Sequence, residues 1–268
     1  MPIKAIFVQE LLINPKHRFI PKELYAMFRK IQNAVCVGFV SIFALIWIFS
    51  KDLAFAVPAS SDNVKSQINK KVIVLDAGHG GIDGGCVSVN GVAEKGINLS
   101  IVQTLRDSLE ILGFDVVCTR EDDRSIHDKG VEGIAKQKLS DMKNRLDIIN
   151  RYDDAVVLSV HQNQFVDERY SGAQMFYAKE NDDGRRLAEC MKKQFVSLLQ
   201  PKNERETKPV GNEMYLIHNA KSPALMIECG FLSNAEESKL LETPVYQKKV
   251  AFTILTGLEE YLLTKPRQ

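Results

Sequence analysis

The stretch KVIVLDAGHGGIDGG (71–85) decides the fold. Four unbroken apolar residues, Val72 to Leu75, run into Asp76 and then into a glycine-rich turn that carries His79. A strand that does not alternate apolar with polar residues is buried on both faces, as in a parallel sheet covered by helices. Three further apolar-rich runs are of strand length: Phe114–Cys118, interrupted by Asp115, Ala155–Val160, interrupted by Ser159, and Ala224–Ile227. Between them, Ile97, Ile101, Leu105 and Leu109 recur at four-residue spacing. Helical patterns also cover Asp141–Tyr152 (Met142, Leu146 and Ile149 inward), Asp183–Leu199 and Pro244–Leu263, where Val250, Ile254 and Leu258 share a face. Strands alternating with helices predict an α/β fold: a single open, largely parallel sheet with helices on both faces, phosphorylase/hydrolase-like. No repeat, low-complexity tract or second linker follows Lys71, so residues 71–268 read as one compact domain.

The 268 residues are 45% hydrophobic and 26% charged, which excludes disordered, collagen-like and disulfide-scaffold chains. Residues 1–56 hold seven of the 35 Lys+Arg and three of the 34 Asp+Glu, leaving 28 against 31 for the rest. That balance offers no basic face for nucleic acid. Ala34–Phe49 is uncharged over 16 residues and follows Arg29 and Lys30. It is short for a membrane span of about 20 residues. It suits the apolar core of a secretory signal or a short uncleaved anchor, and Ala54-Phe55-Ala56 offers a cleavage pattern. Residues 1–56 are therefore read as a signal or anchor and 57–70 as a linker. The domain is expected outside the cytoplasm, secreted or membrane-anchored at the cell wall. Met27, followed by a short basic region, is the expected true start.

Three of the buried runs end in residues able to bind a metal or move a proton. Val72–Leu75 leads to His79, Val156–Val160 ends at His161, and Leu225–Ile227 ends at Glu228. In an open α/β sheet, ligands gather at the carboxyl ends of the strands. If these strands are parallel neighbours, the three side chains converge there. Glu94 opens the helix that follows, where a carboxylate suits the N-terminus in any case. Two histidines and one carboxylate with an open fourth position have the composition of a catalytic zinc site, and a further carboxylate remains as base. The five cysteines contain no C-x-x-C pair, which excludes a zinc ribbon. A Cys229–His161 nucleophile pair is unattractive, because Cys229 would point opposite to Glu228, into the core.

DAGHGGIDGG (76–85), EKGINL (94–99), SVHQN (159–163) and ECGFLSN (228–234) resemble the zinc-dependent N-acetylmuramoyl-L-alanine amidases of the amidase-3 type, in family order from about Lys71 to Leu263. SGAQMFYAK (171–179) and the lone catalytic domain look most like the germination-specific, spore-cortex members. The resemblance implies one zinc ion per chain held by His79, Glu94 and His161, with Glu228 as the catalytic carboxylate. It implies hydrolysis of the amide between N-acetylmuramic acid and the L-alanine of the peptidoglycan stem peptide, feeding muramic-δ-lactam formation in spore cortex. A separate deacetylase would act on the product, and an extracytoplasmic partner such as a lipoprotein would recruit or activate the enzyme. The location so implied is the forespore–mother cell intermembrane space. The alternatives are a zinc carboxypeptidase on cell-wall peptides and a non-catalytic wall-binding or regulatory module. The chain departs from the family pattern at Gln162, beside His161, with Gln164 following. These amides could narrow the groove, orient substrate or tune zinc affinity through a second shell. Asn163, Gln162 and Arg145 are the substrate-binding candidates; Arg145 suits either a substrate carboxylate or a structural ion pair.

Overall fold

The computed structural model describes residues 71–264. The signal or anchor, the linker and the Met27 start lie outside the described residues. Six strands, β1 (Val72–Ala77), β2 (Asp115–Cys118), β3 (Ala155–Asn163), β4 (Gln174–Ala178), β5 (Lys208–Val210) and β6 (Ala224–Phe231), form one sheet in the order β2-β1-β3-β6-β4-β5. Neighbours from β2 to β6 are parallel; β4 runs antiparallel to β6, with β5 parallel to β4. The helices are α1 (Glu94–Ile111), α2 (Ile134–Ile149), α3 (Asp182–Gln194), α4 (Tyr215–Asn219), α5 (Ala235–Leu241) and α6 (Pro244–Leu263).

Both faces of the sheet are covered. On one, Ile73, Leu75, Leu158 and Val160 pack with Ile101 and Leu105 of α1, Leu187 of α3 and Ile254 of α6. On the other, Val74 and Val157 pack with Ile149 of α2 and Leu216 of α4. Successive residues of a strand face opposite ways. Asp76, Ser159, His161 and Glu228 therefore share the α2/α4 side, while Cys229 enters the larger core. His161 pairs directly with Glu228 in the β3–β6 register, and a bulge follows before Asn163.

The four runs are the parallel strands of the sheet, three of them buried at its centre, while β2 is a half-buried edge strand rather than one covered on both faces; α1 and α6 lie where periodicity predicts. Thr243 accepts from the Tyr246 backbone amide and Pro244 sits in the first turn, a favoured start for α6. Other expectations are corrected. Helix α2 begins at Ile134 rather than Asp141, and Met142 is exposed rather than inward. The helix expected to reach Leu199 changes after Gln194 to a π turn over Phe195–Leu199. Strands β4 and β5 complete the sheet beyond those expected. Among the described residues, no helix is long and apolar enough to cross a membrane.

Candidate metal centre and active site

The β1–α1 loop begins where β1 ends, and its carbonyls are held by two arginines. Arg120 donates from Nε to Ala77 O at 2.8 Å and from Nη2 to Gly78 O at 3.0 Å. Arg145 donates to Ala77 O at 2.8 Å and His79 O at 2.6 Å. So fixed, His79 adopts φ 62°, a conformation uncommon for a side-chain-bearing residue. Beneath the loop lies Asp76, fully buried, which accepts from Arg145 at 2.6 Å, Thr119 at 2.7 Å and Ser159 at 2.6 Å.

Above this base, His79, Glu94 and His161 come together, with one ligand atom from each within 4.8 Å of the others. His79 Nε2 lies 3.2 Å from Glu94 Oε2, and His161 Nδ1 lies 3.1 Å from Glu94 Oε1. Ligands of tetrahedral zinc at bonds of about 2.0–2.2 Å stand about 3.3–3.6 Å apart, so this donor set suits the ion in chemistry and in spacing. The other nitrogen of His79 donates to Asp83 Oδ2 at 2.9 Å, which leaves Nε2 to face the cluster. Burial works against charge on His79, but bonds and attraction from Glu94 and then Asp83 outweigh it and raise the imidazole to about 9. A metal would expel that proton. Burial likewise opposes ionisation of Glu94, yet His161 and His79 hold it well below the usual carboxylate range.

Glu94 is held from all sides. Its Oε1 accepts from Asn98 Nδ2 at 3.0 Å and the Gln162 backbone amide at 3.0 Å; its Oε2 accepts from the Cys86 amide at 2.9 Å. Asn98, one helical turn along α1, in turn accepts from Gln162 Nε2 at 3.1 Å. The buried Gln162 side chain therefore reaches into the support around Glu94 rather than across the groove. Replacing Asn98 by Ala should weaken metal binding about 10–100-fold without unfolding the protein, measured by competition against a chromophoric chelator.

Two glycines leave room for the cluster itself. A Cβ on Gly78 would sit 2.2 Å from the His161 ring, and one on Gly85 would sit 2.4 Å from Glu94 Oε2. Gly78→Ala must displace His161, so the purified variant should carry far less metal than wild type when assayed by elemental analysis.

Glu228 stands across from His161, and its Oε2 is buried without a hydrogen-bond partner. Burial raises its carboxyl to about 7; the charge of Glu94 adds to this, against the pull of His161 and His79. A buried carboxylate oxygen left open beside a metal-capable cluster is placed to exchange protons with a bound molecule. Arg145, in contrast, is buried, and its guanidinium is engaged by Asp76, Asp141, Ala77 O and His79 O. Substrate binding by Arg145 is thus corrected to a supporting role. Asn163 lies two residues past His161 at the end of β3, half-buried. His127 meets Ser125 and is not a member of the cluster. Asp83 is a member of the site that its motif did not single out, although an acid four residues after His79 in a glycine turn is a signal.

The sheet, its covered faces and the cluster at the strand carboxyl ends define an α/β domain built around a His/Glu/His site. Residues 73–260 match the family model described as Amidase_3, N-acetylmuramoyl-L-alanine amidase, and the chain belongs to that family. It is 34% identical to the germination-specific N-acetylmuramoyl-L-alanine amidase of Bacillus subtilis, over 74% of this chain and 82% of the relative. Among solved structures it resembles the CwlD amidase of Clostridioides difficile in complex with the GerS lipoprotein. That likeness has TM-score 0.69 and 39% identity, and covers 72% of this chain and 98% of that one. The catalytic domain of CwlV, an N-acetylmuramoyl-L-alanine amidase of Bacillus (Paenibacillus) polymyxa, matches with TM-score 0.59 and 29% identity, over 73% and 99%. The chain is an N-acetylmuramoyl-L-alanine amidase acting on peptidoglycan.

Proposed function

We propose that the enzyme is zinc-dependent, that His79, Glu94 and His161 hold the ion, and that Glu228 is the catalytic base. The observation that carries this is the orphaned, buried Oε2 of Glu228, in register with His161 beside the His/Glu/His cluster. Zinc, when bound, lowers the pKa of water from 15.7 toward about 7 and polarises the scissile carbonyl. Glu228 takes the proton of the attacking water and returns it to the departing L-alanine amine. Asp83 fixes the His79 ring, while Asn98 and the Gln162 amide fix Glu94. Asn163, and Gln164 beyond it, are left at the strand end for the substrate.

The biological setting we propose is spore cortex, where the product feeds muramic-δ-lactam formation after a separate deacetylase has acted. The germination-specific relative supports this. The chain would be exported through its N-terminal segment and act in the forespore–mother cell intermembrane space, membrane-anchored if that segment is not cleaved. A lipoprotein partner is supported by the likeness to an amidase solved with one. The test is a digest of purified peptidoglycan by the purified protein, scored for newly exposed L-alanine amino groups. Those amines should appear with zinc, vanish with chelator and return when zinc is restored. Release of carboxyl-terminal residues instead would favour the carboxypeptidase.

A further inference from the structure

Of the cations around the cluster, most are already committed. Arg120 and Arg145 hold the loop carbonyls, Lys138 pairs with Asp83 at 2.7 Å and Lys95 with Asp123 at 2.7 Å. Arg205, in the segment before β5, is different. Its Nη2 donates to Gln174 Oε1, and its guanidinium carbon lies 4.8 Å from the Phe231 ring centre and 5.7 Å from that of Tyr170. Its Nε is buried and has no hydrogen-bond partner. Among the described residues, no carboxylate lies within ion-pairing distance of it. A stacked, half-buried guanidinium without a paired carboxylate is pre-organised for a planar anion.

Its position relates it to the reaction. Gln174 faces Glu228 across the β4–β6 pair, so Arg205, Gln174, Glu228 and His161 form a row across the strand ends. With strands about 4.8 Å apart, Gln174 is about 10 Å from His161, and Arg205 is bonded to Gln174. Two or three extended residues cover about 7–11 Å. Arg205 also lines an open groove of about 550 Å³ with Asp167, Arg169, Tyr170, Ser171 and Glu204. The other cation there, Arg169, is paired with Asp167 at 2.7 Å, and the groove's formal charges balance. With Arg169 so paired, Arg205 is left as the groove's cation without a carboxylate at ion-pairing distance, although its charge also reaches Glu228 and Glu237.

We propose that Arg205 binds a free carboxylate on the peptide side of the substrate, two or three residues beyond the scissile amide, with Gln174 holding the guanidinium in place. This rests on the reading of His161 and Glu228 as the reaction centre. The pairing would select acidic over amidated peptides.

The test compares soluble muramoyl-peptides that carry either the carboxylate or a carboxamide at that position. Wild type should favour the acid about 10–100-fold in kcat/KM, the range for a charged hydrogen-bonded pair. Arg205→Gln should erase the preference by raising KM for the acid alone, and Arg205→Lys should keep part of it. Equal turnover of both substrates by wild type, or an equal loss on both in Arg205→Gln, would overturn the assignment. The wild-type comparison needs no variant to fold. Calorimetric titration of both peptides into the Glu228→Gln protein separates this inference from the reading of the centre. Tighter binding of the acid supports the Arg205 site even if neither peptide is cleaved by wild type; equal binding sinks it.

Discussion

Glu228→Gln lowers kcat by about 10²–10⁴-fold while the protein still binds one metal ion per chain. General acid–base groups contribute on this scale. The substitution keeps the shape of the side chain and touches none of the three residues of the cluster. Glu228 carries a buried oxygen with no partner, so the neutral amide also removes an uncompensated charge. Stability should follow. In the metal-free protein the carboxyl titrates near 7, above its ordinary 4.5. A raised acid binds its proton more tightly in the folded state, so its contribution is complete below about pH 4.5 and is lost as pH rises through 7. Chelated wild type and variant should therefore melt together near pH 4, and the variant should melt higher near pH 8. Activity has its own pH sign: the base must be ionised, so kcat/KM of wild type falls as acid protonates it. Turnover within tenfold of wild type in the variant would remove Glu228 from the reaction.

Legibility in the sequence followed burial. Of the four parallel strands, β1, β3 and β6 were readable because they are covered on both faces, as at Val156–Leu158, whereas β2 is a half-buried edge strand that breaks the expectation of two covered faces. The same topology made the cluster readable, since residues ending such strands must meet. Helix α2 hid its first two turns for a physical reason. Its buried positions are Ser140, Arg145 and Ile149, two of them polar, while Ile134 and Leu139 are exposed, so apolar periodicity is scrambled where the helix serves a polar network. Strand β4 begins with the polar Gln174, which bonds Arg205 and the Glu206 carbonyl, and β5 is three residues long with Pro209 inside, too short for any pattern. Arg145 could not be settled from spacing. Its partner Asp76 is 69 residues away, and only the fold makes the two neighbours. Arg205 lay in no motif at all, and its stacking on Phe231 and Tyr170 is a purely tertiary event.

Arg145→Met lowers stability by about 3–5 kcal/mol, the cost of stranding a buried charge, because Asp76 stays fully buried and Asp141 nearly so. For a domain of this size that corresponds to a fall of about 6–20 °C in Tm. The pH dependence discriminates this from a packing effect. Burial alone would raise the Asp76 carboxyl, but the charge of Arg145, then that of His161 and the bonds from Ser159 and Thr119, bring it down to about 2 from 3.8. A depressed acid contributes stability that is present above pH 3.8 and is lost as pH falls through 2. The gap between wild type and variant should therefore narrow from pH 4 to pH 2, whereas a simple cavity would cost the same at both. The damage reaches the His/Glu/His cluster, because Arg145 also holds the His79 carbonyl at 2.6 Å and with it the left-handed turn that aims the ring. Metal affinity should fall with Tm. A variant that matched wild type in Tm and metal content but raised KM would instead return Arg145 to the substrate.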